Sequence, residues 1–274
     1  MQNYKLNNGV SIPAVGFGTW QTPPGEATVN AVKTALEYGY THIDTAACYE
    51  NEESVGQGIR ESGVPREKLY VTTKLWNTER GYDSALKAFD QSLQKLRLDY
   101  VDLYLIHWPD NKSPEPNIAS WKAFEKLYKE GRIKAIGLSN FQPQHIQPLL
   151  DLAEVPPAVN QIEYHPGFPQ KETVDFCRKH GILIEAWSPL GSGRILQEQS
   201  LQQIAQKYHK SIAQLCLRWC LQNGILPLPK SVTPARIKEN LQVFDFEITP
   251  EDMRRIDELP QFGWSGLDSA KVDF

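Results

Sequence analysis

Short apolar runs alternate along this chain with longer stretches in which apolar side chains recur every three or four positions. That alternation predicts strands joined by crossover helices in a parallel sheet. Eight runs read as strands: residues 15–18, 42–44, 69–73, 101–106, 133–138, 158–162, 183–186 and 225–227. Between them, Tyr82, Ala85, Leu86, Phe89, Leu93 and Leu96 keep a helical spacing, as do Trp121, Phe124, Leu127 and Tyr128. Both segments therefore predict helices that pack one apolar face inward. Residues 4–6 and 11–13 flank Asn7, Asn8 and Gly9, types that turn readily, and predict a hairpin ahead of the eight strands.

Residues 200–208 and 211–222 read as two helices in one connection, and residues 250–259 as another after the last strand. No Pro/Gly/Ser-rich linker interrupts the pattern, so one domain spanning 1–274 suits the length better than two open sheets. The predicted fold is α/β: a (β/α)8 TIM barrel with an N-terminal β-hairpin and accessory helices. Residues 261–274 hold Phe262, Trp264 and Phe274 among Gly and Ser; they predict an irregular tail, either frayed or folded as an aromatic lid.

With 41% hydrophobic and 23% charged residues among 274, the chain has apolar material for a core of that size. A formal net charge of −4, with Lys and Glu interleaved, gives no electrostatic case for nucleic acid; a small-molecule partner is expected. No apolar run approaches the roughly 20 residues of a membrane span, and residues 1–6 show no charged-then-apolar leader. A soluble, cytoplasmic protein is therefore expected. Cys48, Cys177, Cys216 and Cys220 show no CxxC pairing, which fits free thiols in a reducing compartment. Cys216 and Cys220 share a helix face; without a neighbouring His or second Cys pair, their spacing predicts buried packing and no metal. A barrel closed on itself, without a self-complementary helix stripe, predicts a monomer.

Asp44 ends one of the apolar runs, and Tyr49, Lys74 and His107 follow such runs. In a barrel, the C-terminal strand ends and the loops after them build the active site. A carboxylate, a phenol, an ammonium and an imidazole gathered there are the parts of a proton-donating reduction site. Singly, an Asp after a strand is usually a cap, a Tyr packing and a Lys solvated; the coincidence of all four argues for function. Gly16-Phe17-Gly18 and Gly191-Ser192-Gly193 both lack the third glycine of GxGxxG, which argues against a Rossmann domain. The second stretch follows a strand and ends in Arg194, so its backbone N–H groups are either a phosphate cradle or part of a flexible loop.

GYTHIDTAACYENEESVG at 39–56 resembles the signature of the aldo-keto reductases. The resemblance continues through TTKLW (72–76), DLYLIHWP (102–109), GLSNF (137–141), NQIEYHP (160–166), WSPLGSG (187–193) and PKSVTPARIKEN (229–240). It covers nearly the whole chain and is nearest to short-loop microbial members similar to 2,5-diketo-gluconate reductases. It implies a (β/α)8 barrel that binds NADPH and reduces carbonyls, with Asp44, Tyr49, Lys74 and His107 as the catalytic set. Tyr49 is then the proton donor. A free phenol titrates near about 10, and an adjacent Lys74 ammonium is expected to lower that value by stabilising the phenolate. Asp44 would keep the buried lysine charged, and His107 would hold the carbonyl oxygen or assist proton delivery.

For the cofactor, the resemblance implies contacts from Thr19, Trp20 and Asp44, with Ser139, Asn140 and Gln161 at the carboxamide and Trp187 stacked on the nicotinamide. Ser188, Leu190 and Ser192 would serve the pyrophosphate, and Lys230, Ser231, Val232, Arg236, Glu239 and Asn240 the adenosine end. An Arg grips a phosphate bidentately and a Lys adds a point charge, so Lys230 and Arg236 favour NADP over NAD. Trp20, Trp76, Trp108 and the tail's Trp264 predict an aromatic-walled pocket around Tyr49 and His107. The short segment 111–117 predicts an open site for small aldehydes, dicarbonyls or keto sugars. Cys48 stands where many relatives have a small inert residue, making it a candidate for oxidation or alkylation, or else simple packing. Two other classes fit a barrel: a lyase with Lys74 or Lys230 as Schiff base, which requires a neutral lysine, and an NADPH-binding sensor subunit without turnover.

Overall fold

The computed structural model describes residues 2–272; Phe274 of the predicted tail lies outside them. Strand β1 (Asn3–Lys5) pairs antiparallel with β2 (Ser11–Pro13). The turn closes through Leu6 N–H to Val10 O at 2.8 Å and Gly9 N–H to Leu6 O at 2.9 Å. The first strand therefore runs one residue earlier than its apolar pattern: Leu6 leaves the ladder and joins Ile12, Tyr70, Leu103 and Leu226 in a buried cluster. Asn7 and Asn8 donate side-chain hydrogen bonds to Pro157 O and Lys134 O, which seats the hairpin over the N-terminal mouth of the barrel.

The barrel proper begins with β3 (Phe17–Gly18), α1 (Glu26–Glu37), β4 (His42–Asp44), α2 (Glu52–Glu61), β5 (Tyr70–Leu75) and α3 (Tyr82–Leu96). It continues with β6 (Val101–Ile106), α4 (Glu115–Lys129), β7 (Ile133–Ser139), α5 (Pro143–Leu150), β8 (Val159–Glu163) and α6 (Lys171–Lys179). Strand β9 (Leu183–Trp187), helices α7 (Gln199–Lys207) and α8 (Ile212–Gln222), β10 (Leu226–Pro227), α9 (Pro234–Leu241) and α10 (Pro250–Asp257) complete it. Strands β3 to β10 pair in chain order, all parallel. The ring closes through Gly16 N–H to Pro227 O at 3.1 Å and Gly18 N–H to Pro229 O at 3.0 Å. Only glycine fits at Gly16, where a Cβ would sit 2.5 Å from Leu228 Cδ2 and 2.6 Å from His42 Nδ1.

Helices cover the sheet with most of the faces their spacing predicts: α3 buries Ala85, Phe89, Leu93 and Leu96 while Tyr82 at its start stays exposed, and α4 buries Trp121, Phe124 and Leu127. Each large side chain so buried contributes roughly 1.5–3 kcal/mol. Ser211 is a cap, with Oγ accepting from Gln214 N–H at 3.2 Å, so α8 starts one residue after it. Strand β5 runs past Thr73 because Lys74 and Leu75 pair with Leu105 and Ile106. Lys74 therefore belongs to a strand, and its stem is buried inside the barrel. No helix among the described residues is long and apolar enough to cross a membrane.

Candidate active site

A cavity of about 820 Å³ opens at the C-terminal ends of the strands. Asp44 is the last residue of β4, Tyr49 ends a short helical turn (Ala47–Tyr49), and His107 follows β6 directly. All three border the cavity, while Lys74 lies behind them, fully buried. The Lys74 ammonium donates to Asp44 Oδ1 at 2.7 Å, to Thr45 O at 2.9 Å and to the Tyr49 hydroxyl at 3.3 Å. Its three N–H groups are thus all engaged. The Tyr49 and His107 rings meet edge to face at 5.6 Å, and Trp76 meets His107 in the same way at 5.3 Å.

Burial alone pulls the Lys74 ammonium down, but the Asp44 carboxylate and the Tyr49 hydroxyl outweigh it and raise the ammonium above its ordinary range. The Tyr49 phenol does not follow the expectation. Burial raises it further than the Lys74 charge lowers it, so its titration lies above the ordinary 10. A buried phenolate loses its hydration, and one ammonium does not replace it. At neutral pH Tyr49 carries a proton to give, as an unshifted phenol also would. Burial, followed by the Lys74 charge, holds His107 well below 6.5, so its imidazole is neutral.

Cys48 Sγ lies 3.5 Å from His107 Nδ1, inside the cavity. Burial pushes its thiol up to about 12, although Lys74 pulls the other way. With so little thiolate present, activity should survive an hour in millimolar iodoacetamide at pH 7.5; rapid inactivation, reversed in Cys48→Ala, would show a reactive thiol instead. The other three cysteines are free and buried.

Around the rest of the cavity stand Trp20, Ser139, Asn140, Gln161, Trp187, Ser188, Leu190 and Ser192, with Lys230, Ser231, Arg236, Glu239 and Asn240 farther along. Asn140 has φ 63°, a left-handed conformation that a non-glycine residue holds at a cost of about 1–3 kcal/mol. Its side chain accepts from Trp187 Nε1 at 2.7 Å and donates to His107 O at 3.0 Å. It thereby ties the indole to the strand end that carries His107. Trp187 also meets Trp20 edge to face at 6.4 Å.

Several expectations change. Thr19 does not border the cavity; its hydroxyl donates to Asp44 O at 2.9 Å and braces the strand end. Val232 also stays outside, half-exposed. Gly191, Gly193 and Arg194 spend their N–H groups on Ser188 O, Leu190 O and Gly191 O within a short helical turn. None of the three is left to cradle a phosphate. Arg194 turns to Gly263 O at 2.8 Å and to Glu163. Trp264 borders a separate cavity of about 240 Å³ and stacks on Phe168, so it is not a wall of the main site.

The described part of the tail is packed, not frayed. Ser265 donates its N–H and hydroxyl to Glu163 at 2.9 and 2.6 Å, and Leu267 reaches the main cavity. The far wall, with Gln202, Ala205 and Gln206 of α7 and Lys210, Ser211, Ile212 and Ala213 around the start of α8, was not anticipated. Its signal was the pair of helices inserted in one connection.

Residues 14–261 match the model of the aldo/keto reductase family. The chain belongs to that family. This aldo/keto reductase is 52% identical over 255 residues to a glyoxal reductase of Bacillus subtilis, covering 93% of this chain and 91% of the relative. Of solved structures, it is similar to MGS-M4, an aldo-keto reductase enzyme from a Medee basin deep-sea metagenome library. The two share 44% identity and a TM-score of 0.95 over 99% of this chain and 100% of the other. A mutant of Gox0644 in complex with NADPH gives 42% identity and a TM-score of 0.94 over 100% and 99%.

Proposed function

We propose that this NADPH-dependent carbonyl reductase uses Tyr49 as the general acid that protonates the carbonyl oxygen of small aldehydes, dicarbonyls or keto sugars. The observation that carries this reading is the Asp44–Lys74–Tyr49 chain of contacts, which ends in a protonated phenol at the cavity. NADPH, when bound, supplies the hydride to the carbonyl carbon. Negative charge then builds on the carbonyl oxygen, and the Tyr49 O–H is placed to neutralise it. Lys74, 3.3 Å from that oxygen, stabilises the phenolate left behind, and Asp44 keeps Lys74 charged. Neutral His107 offers a ring N–H to the same carbonyl oxygen. Trp20, Trp76 and Trp108 wall the apolar body of the substrate, and the similarity to a glyoxal reductase supports small dicarbonyls.

The residues fit the cofactor. The cavity extends from Tyr49 to Lys230 and Arg236, both exposed, and among the described residues neither forms an ion pair. Two uncommitted cations at one end of a long cleft suit a nucleotide phosphate. Trp187 and Asn140 would flank the nicotinamide, and Ser231, Glu239 and Asn240 the adenosine. Lys230→Ala with Arg236→Ala should raise KM for NADPH about 10–100-fold, in line with charged hydrogen bonds worth roughly 1.5–3 kcal/mol, and barely move KM for NADH. Equal effects on both cofactors in steady-state assays would remove this pair from 2′-phosphate binding.

Lys74 gives its N–H groups to three oxygens and stays an ammonium, so it has no lone pair for a Schiff base. The reading further takes residues 1–274 as one domain and the protein as a cytoplasmic monomer without nucleic-acid or membrane partners; its four free thiols support a reducing compartment.

A further inference from the structure

We propose that Glu185 is a positioning residue: together with Asp44 it locks the Gln161 amide so that its oxygen faces the carboxamide of the bound nicotinamide. This rests on the NADPH reading above. Gln161 on β8 and Glu185 on β9 are partners in the ladder, and both side chains are buried inside the barrel. In the ring of eight strands β8 lies opposite β4, so Gln161 reaches across the interior to meet Asp44. Gln161 Nε2 is 2.9 Å from Asp44 Oδ2 and 2.8 Å from Glu185 Oε2. An amide nitrogen has two N–H groups and no acceptor, so the two carboxyl groups consume its whole capacity. Turning the amide over would set its carbonyl oxygen against the Asp44 carboxylate. The Asp44 carboxylate therefore sets the orientation, Glu185 takes the second N–H, and Oε1 is the side-chain atom left to face the cofactor.

Gln161 borders the main cavity, and no donor among the described residues reaches its Oε1. An acceptor there complements the NH2 of a primary carboxamide. Among the described residues Glu185 makes no other side-chain hydrogen bond: its Oε1 has no partner and lies 4.0 Å from His42 Nε2, at zero exposure. Burying an unsatisfied carboxyl oxygen is destabilising, and the hydrogen bond to Gln161 is the one that offsets it among the described residues. Burial and then the Asp44 charge push Glu185 up to about 8, so its carboxyl is neutral at pH 7, with the carbonyl oxygen still accepting. Glutamine copies that shape. A residue without an acceptor frees one N–H of Gln161, lets the amide turn about its remaining contact with Asp44, and opposes donor to donor at the carboxamide.

The test is equilibrium binding, by quenching of tryptophan fluorescence, of NADP+, its 3-acetylpyridine analogue and 2′,5′-ADP to the purified full chain. Glu185→Leu should weaken NADP+ about tenfold, or 1.4 kcal/mol. It should leave 2′,5′-ADP, which carries only the adenosine end, and the analogue, which lacks the amide N–H groups, nearly unchanged. Glu185→Gln should restore NADP+ affinity. Glu185→Thr, polar but too short to reach Nε2, replaces the leucine variant if that one does not fold. Undiminished NADP+ binding in the leucine or threonine variant, or a parallel loss for all three ligands, would overturn the role of Glu185. Wild-type protein that binds neither NADP+ nor 2′,5′-ADP would instead overturn the cofactor reading on which it rests.

Discussion

Replacing Tyr49 by phenylalanine should lower the rate of carbonyl reduction by about 10²–10⁴-fold, the range supplied by a positioned general acid, with the Kd for NADPH little changed. The substitution removes one oxygen. It takes away the hydroxyl that Lys74 contacts at 3.3 Å but keeps the ring that packs against His107 at 5.6 Å. Because a phenol that titrates above 10 is protonated at neutral pH, the wild type begins each turnover with the proton in place, and the variant has none to give. Single-turnover stopped flow with saturating NADPH and an aldehyde isolates this step from product release. A variant within about tenfold of wild type would move the acid to His107. Wild-type protein that binds NADPH and turns over no aldehyde, dicarbonyl or keto sugar would favour the sensor alternative.

Asp44→Ala should cost about 3–5 kcal/mol of stability, the cost of leaving one member of a buried ion pair without its partner. Lys74 has a fully buried side chain and Asp44 a nearly buried one, 2.7 Å apart. Without the carboxylate, burial is free to pull the lysine toward its neutral form. Gln161 would also lose one of the two oxygens that hold its amide. Denaturant unfolding measures the loss. The double variant Asp44→Ala with Lys74→Met should recover part of it, because the stranded charge is gone, while remaining inactive. A single-variant loss below about 1 kcal/mol would mean that water reaches the pair and screens it.

The eight strands, their order and the gathering of Asp44, Tyr49, Lys74 and His107 were legible because they depend on local pattern. Apolar runs mark buried parallel strands, helical spacing marks the crossovers, and in a closed barrel every strand end opens on the same face. Boundaries shifted where pairing reached beyond the apolar run, as at Lys74 and Leu75. What tertiary structure alone decided involves groups distant in sequence. Gln161 and Asp44 are 117 positions apart yet share a hydrogen bond across the barrel, and Ser265 meets Glu163 across 102 positions. The sequence left the N–H groups of Gly191 and Gly193 open between a phosphate cradle and a loop, and the folded turn uses them on Ser188 O and Leu190 O. The sign of the Tyr49 shift belongs here too. Sequence places an ammonium near a phenol and so predicts a lower pKa, but the opposing desolvation depends on how much protein surrounds the ring, and that exists only once the barrel has closed.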